Sequence, residues 1–102
     1  MMENNKPMLI INAIADKQNA GELQQYLGSV MQIFLKHGGK PVGRYKTIEP
    51  LSGEDSPEMV AILEFPDATA IRDMVNGDEF MALADMRERV FNKLNMLICG
   101  SM

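Results

Sequence analysis

Arg87, Glu64 and His37 are the side chains best placed by type and position to bind a ligand or move a proton. Arg87 follows Phe80, Leu83 and Ala84 on one helical stripe, at the i+7 position of that stripe. A guanidinium aimed at a core needs a carboxylate partner or an anionic ligand. Otherwise its stem lies along the stripe and its head reaches water. Glu64 interrupts an apolar strand on the face it shares with Val60 and Ile62. It is a pocket base, an ion-pair partner for Arg87, or a strand-end residue in contact with solvent. His37 is the single histidine and hence the natural acid–base group. Its place at the end of a helix also gives it a structural role, complementing the dipole.

Four further positions carry polar chemistry. Asn12 puts one amide in the middle of an apolar strand, to orient a ligand or to form a satisfied buried hydrogen bond. Tyr26 lies on a helical stripe, a core residue whose hydroxyl could reach a cleft. Arg44 and Tyr45 alternate along one strand, so they face opposite sides of the sheet. Together Arg87, Asn12, Glu64 and Tyr26 form the candidate ligand-binding set, with Arg87, Glu64 and His37 as catalytic candidates. No second His or Cys lies at ligand spacing, so no metal site is expected. Haem would rest on His37 alone, and no cofactor is expected. Phosphate loops, dinucleotide fingerprints and Ser-His-Asp arrangements are absent from the sequence.

The elements that must position these residues are legible from hydrophobic pattern. Met8 to Ala15 is a nearly continuous apolar run, the signature of a strand buried on both faces. A helix begins at Asn19, with Glu22 in a capping-box-like relation. Leu23, Tyr26, Leu27, Val30, Met31, Phe34 and Leu35 then recur at helical spacing. Gly38-Gly39 supplies the left-handed stop. Lys40 to Leu51 reads as a less apolar second strand at an edge, and Ser52 to Pro57 as a turn. Met59 to Phe65 is the third strand. Pro66-Asp67 caps a short helix carrying Ala70, Ile71, Met74 and Val75. Asn76-Gly77 breaks it, and Asp78 caps a second piece running to about Arg89. Leu94 to Cys99 is the fourth strand, with Cys99 as a small buried hydrophobe.

This βαββαβ order predicts an α+β, ferredoxin-like fold: a four-stranded antiparallel sheet with both helices on one face. Leu9, Ile11, Ala13 and Ala15 oppose Met8, Ile10 and Ile14, and neither set is polar enough to face water. The helices cover one face only, so a second copy is expected on the other.

Composition fits that reading. The chain of 102 residues is 46% apolar, enough for one domain spanning residues 1–102, with residues 1–6 flexible. Ten basic against fourteen acidic residues give a net charge of −4, which argues against nucleic acid or an anionic membrane as partner. One cysteine excludes an internal disulfide framework, and the longest apolar run is far below membrane-spanning length. A cytoplasmic protein is the expectation. The ten methionines are core filler or the lining of an adaptable pocket.

Five segments resemble a known family in order and spacing from about Met8 to Gly100. They are His37-Gly38-Gly39, Glu49-Pro50-Leu51-Ser52-Gly53, Leu63-Glu64-Phe65-Pro66-Asp67, the Gly77-Asp78-Glu79-Phe80 break, and Arg87. They resemble the small bacterial proteins grouped as domain of unknown function 1330. The resemblance implies a dimeric α+β barrel, two ferredoxin-like sheets packed face to face. That superfamily includes cofactor-free monooxygenases, muconolactone-type isomerases, haem-handling enzymes and stress-response proteins, so membership implies a fold and no reaction. Where the family tends to place an aromatic pair, a proline and a tyrosine, this chain has Met74, Val75, Asp78 and Phe80. Three readings follow: a dimer binding a small anionic or aromatic metabolite between helices and sheet, a cofactor-free isomerase or monooxygenase, or a structural or stress-related dimer without a pocket.

Overall fold

The computed structural model describes residues 6–54 and 56–102. Residues 1–5 of the segment expected to be flexible lie outside the described residues. Strand β1 (Met8–Ala15) leads through a short 3-10 turn into helix α1 (Ala20–Lys36) and strand β2 (Lys40–Lys46). Strand β3 (Met59–Glu64) precedes three short helices, α2 (Ala68–Val75), α3 (Asp78–Met81) and α4 (Ala84–Val90), and strand β4 (Phe91–Cys99) closes the chain. The sheet order is β2-β3-β1-β4, every neighbouring pair antiparallel. Each helical crossover therefore skips one strand, which is the split βαβ arrangement read from the sequence.

Alternation sorts β1 and β3 cleanly. Leu9, Ile11, Ala13, Ala61 and Leu63 are buried with Tyr26, Val30, Ile33 and Phe34 of α1, and Phe65, Ile71, Met74, Phe80, Val90 and Phe91 complete the core. Phe34 and Phe65 meet edge to face, ring centroids 6.4 Å apart. The opposite sheet surface carries Met8, Ile10, Asn12 and Ile14 beside Val60, Ile62 and Glu64, all half-buried. It extends onto β4, where Leu97 opposes Ile10 and Asn95 opposes Asn12. Leu97 is 46% exposed. No described residue covers this surface with a second layer.

Several local expectations are corrected. Asn19 makes no capping bond through its side chain to the helix. Its amide instead donates to Asp16 Oδ2 at 3.3 Å and to the Arg89 carbonyl at 2.9 Å. Glu22 is taken by Arg89, whose Nη2 lies 2.6 Å from Glu22 Oε2, so the pair ties α1 to α4 in place of a capping box. That guanidinium holds the Glu22 carboxyl below its ordinary range, chiefly through the hydrogen bond. β2 ends at Lys46 and not at Leu51. Thr47 closes the ladder with its N–H on Glu58 O (2.9 Å) and its hydroxyl on Pro57 O (2.6 Å), and Pro50 beyond it has no N–H to extend pairing.

The second half of the split helix is itself broken. Gly77, not Asp78, is the cap residue of α3, and Leu83 N–H turns back three residues to Phe80 O at 3.1 Å. β4 starts at Phe91, three residues earlier than expected, because that ring packs edge to face on Tyr26 at 5.5 Å. Cys99 is half-buried at the strand end, paired with Met8 on the uncovered surface. The α1 stop and the α2 cap are as read: Gly38 has φ +90°, and Asp67 Oδ1 accepts from Ala70 N–H at 2.7 Å. As an edge strand β2 is irregular. Its register with β3 shifts between Pro41 and Gly43, and the Tyr45 ring lies over the bare backbone of Gly43.

Candidate functional site

Helix α1 and the helix-side surface of the sheet leave an apolar cavity of about 70 Å³ between them. Tyr26, Met31 and Phe34 line it from α1, Met59 and Met96 from the sheet, and Arg44 from the exposed edge strand. These residues converge because the α1 stripe faces the alternate positions of β3 and β4, while β2 turns Arg44 to the same side. Tyr26 is 4% exposed and brings the one hydroxyl of the wall.

Behind Tyr26 sits Arg87. Its Nε–H donates to the Tyr26 hydroxyl at 2.9 Å, and Nη2 donates to the Phe80 carbonyl at 2.7 Å. The guanidinium carbon stands 3.8 Å from the centre of the Phe80 ring, a cation–π stack, and 5.7 Å from that of Tyr26. Arg87 thus points inward, onto the Phe80 ring, although a break separates α3 from α4. Its partners are a phenol, a carbonyl and a ring, and no carboxylate lies within ion-pair distance of it among the described residues. Arg87 itself is not in the cavity wall; it reaches the wall residue Tyr26 through the hydroxyl. Burial raises the Tyr26 pKa above its ordinary value of 10.0, with the Arg87 hydrogen bond and charge opposing that rise.

The other candidates are elsewhere. Asn12 and Glu64 lie on the uncovered sheet surface, opposite Val60 and Met8 respectively, so the Glu64–Arg87 pairing considered above does not form. The Asn12 side chain has no protein hydrogen-bond partner among the described residues, and the satisfied buried amide is not what the fold builds. His37 caps α1, its backbone N–H donating to the Ile33 and Phe34 carbonyls, both at 3.2 Å, and it does not line the cavity. No group of three or more His, Cys, Asp or Glu among the described residues is arranged to hold a metal. The sequence pattern brought Tyr26 and Arg87 to one stripe each, but not to each other. Their meeting depends on the crossing of α1 and α4, which no local period encodes.

A family model for a domain of unknown function (DUF1330) matches residues 7–101. This chain belongs to that family. The DUF1330 chain also shares its fold with solved proteins of low sequence identity. A protein of unknown function from Rhodopseudomonas palustris superimposes with a TM-score of 0.76 at 17% identity, covering 97% of this chain and 85% of that one. A DABB family protein with a ferredoxin-like fold from Mesorhizobium loti gives a TM-score of 0.71 at 13% identity, covering 97% and 99%. A NIPSNAP family protein of unknown function from Agrobacterium tumefaciens gives 0.67 at 13% identity, covering 98% and 91%. No protein of curated description matches the sequence. The fold is thus ferredoxin-like α+β. No helix among the described residues is long and apolar enough to cross a membrane.

Proposed function

We propose that this DUF1330 protein is a homodimeric, cytoplasmic small-ligand binder whose site is the cavity under α1. The ligand has an aromatic or otherwise apolar body with one hydrogen-bond acceptor, and a carboxylate or similar anion at the open end. One observation carries this reading: Tyr26, the one hydroxyl-bearing residue lining the apolar cavity, is held by Arg87, from which its oxygen accepts. Because that acceptor site is used, the phenolic proton is free to be donated to a guest. A polar group so placed fixes orientation, and the apolar wall supplies the affinity. Arg44, exposed at the edge-strand side, is the cation available to an anionic group. Arg87 acts as a positioning residue that holds Tyr26.

Size sets a further condition. About 70 Å³ falls short of the ~150 Å³ that accommodates benzene in an engineered apolar cavity. An aromatic guest must displace side chains, and Met31, Met59 and Met96 are the unbranched, adaptable residues suited to that. Binding is favoured over catalysis because Glu64 and His37, the proton-transfer candidates, do not line the cavity. The dimer itself is supported by the uncovered sheet surface, apolar at Ile10, Ile62 and Leu97 and charged toward its margins at Glu64, Lys40 and Lys93.

A titration of benzoate and of toluene, followed by amide chemical shifts, tests the reading. Both are expected to move signals of α1 and β3 around Tyr26 and Ala61, with benzoate also moving Arg44. Ala61→Leu, which fills the cavity, should abolish the changes. Shifts that persist in Ala61→Leu, or no response to either probe at millimolar concentration, would overturn it.

A further inference from the structure

We infer that the anionic end of the ligand is a phosphate monoester, held by Lys17, Lys46 and Arg44 in an open hollow beside the apolar cavity. This deepens the ligand-binding reading above and rests on it. The hollow, about 480 Å³, is lined by Lys17, Lys46, Thr47, Glu58 and Met59. Met59 lines the apolar cavity as well, so the two adjoin at that residue. Lys17 comes from the short turn between β1 and α1, and Lys46 from the end of β2.

A bulge in β2 brings its cations to this side. Pro41 stands opposite Leu63 and Gly43 opposite Ile62, so Val42 is an extra residue without a partner on β3. Strict alternation from Pro41, opposite the buried Leu63, would send Gly43 and Tyr45 to the helix side and Arg44 and Lys46 to the uncovered face. The extra residue reverses this. Arg44 now opposes Ala61 and Lys46 opposes Met59, both on the helix side. Re-aiming side chains is what such bulges do, and they recur beside functional sites. Arg44 and Lys46 thereby stand about 7 Å apart along one side of the strand, the first in the cavity wall and the second in the hollow.

Charge narrows the class. Lys17, Arg44 and Lys46 are all exposed, and none forms an ion pair among the described residues, whereas Lys36 and Arg89 both do. The one carboxylate lining the hollow is Glu58, and it pairs with none of the three. Asp16, beside Lys17, is turned to the Gln18 N–H and the Asn19 amide. The hollow is therefore positive on a chain whose net charge is −4. A carboxylate is satisfied by one guanidinium through two parallel hydrogen bonds, which would leave both lysines without a role. A phosphate monoester carries about −1.5 to −2 charge at neutral pH and three acceptor oxygens, one for each cation.

Titrations of the full chain with 2-phenylethyl phosphate and with 2-phenylethanol, followed by amide chemical shifts, test the anionic end and the cavity separately. Both should move signals of α1 around Tyr26, and the phosphate ester should also move Lys17 and Lys46. Exposed ion pairs are individually weak, and three together are expected to make the ester bind about tenfold more tightly than the alcohol at low salt. Salt at about 1 M should erase most of that preference. Lys17→Gln combined with Lys46→Gln should reduce it to about threefold. Lys40→Gln combined with Arg72→Gln removes equal charge from the uncovered face and from α2, and should leave the preference intact. An alcohol that binds as tightly as the ester, or a preference that both pairs of substitutions reduce alike, overturns the phosphate assignment and leaves the cavity reading in place. If neither probe binds at millimolar concentration, or the ester moves the lysines and not Tyr26, the cavity reading fails and the phosphate assignment with it.

Discussion

Replacing Tyr26 by Phe removes one oxygen and leaves the ring that packs on Phe91. That oxygen accepts from Arg87 Nε at 2.9 Å and belongs to a residue only 4% exposed. Hydrogen bonds to charged groups contribute about 1.5–3 kcal/mol when fully buried, and Arg87 is half-buried and able to turn that N–H to water, so about 1 kcal/mol is expected. Arg87→Met keeps an apolar stem over the Phe80 ring but loses both hydrogen bonds and the cation–π stack, worth about 0.5–1 kcal/mol at such a site. The Phe80 carbonyl retains the Leu83 N–H at 3.1 Å, but the buried Tyr26 oxygen loses its partner, so the total should be about 2 kcal/mol or more. Because the two substitutions remove one bond in common, the double variant should cost about 1 kcal/mol less than their sum. Urea unfolding of the four proteins measures this, at one fixed protein concentration because association adds to apparent stability. A coupling energy within about 0.3 kcal/mol of zero would be ordinary additivity. It would mean that the hydroxyl and the guanidinium act independently, and Arg87 could not be said to position Tyr26.

Two further outcomes follow from the same geometry. Burial raises the Tyr26 pKa above its ordinary value, so the folded state holds the phenolic proton after the unfolded chain has begun to lose it. This contribution to stability is intact below about pH 10, the unfolded value, and declines as pH rises through the higher folded value. Stability curves of the parent and Tyr26→Phe should therefore converge on the alkaline side, and parallel curves would contradict the assignment. Gly39→Ala should destabilise by about 1–3 kcal/mol through overpacking. The added carbon would lie 2.6 Å from Phe65 Cζ and 2.9 Å from the Phe34 carbonyl. An unfolding midpoint unchanged from the parent would show that Phe65 yields freely.

The order of elements was legible because each rests on a local period or a local stop. The seven-member stripe of α1, the Gly38-Gly39 turn and the Asp67 cap are statements about neighbours in sequence, and the fold keeps all three except that Leu35, at the end of the stripe, is 53% exposed. Boundaries set by long-range contact were not legible. Asn92 and Lys93 look like a loop until Phe91 is seen packed on Tyr26, sixty-five positions earlier in the chain. Lys40 to Leu51 looks like one strand until Thr47 is seen clamped to Pro57 and Glu58. Among the site residues, alternation put Glu64 on one face with Val60 and Ile62 but could not say which face the helices cover, so its pairing with Arg87 stayed open until the sheet order was seen. The cavity was beyond reach, since it is a packing defect among residues of five elements and leaves no mark on any one of them.

The irregular outer strand bears on what kind of assembly this chain can enter. Pro41 offers no amide hydrogen to a newcomer, and the register slip between Pro41 and Gly43 bends the row of free backbone groups that strand addition would copy. With that flank spoiled as a template, growth by lateral stacking of sheets, the route to fibrils, is disfavoured there. At this flank, then, the greasy side chains left without cover come with no straight backbone template for open-ended polymer; β4 forms the other edge.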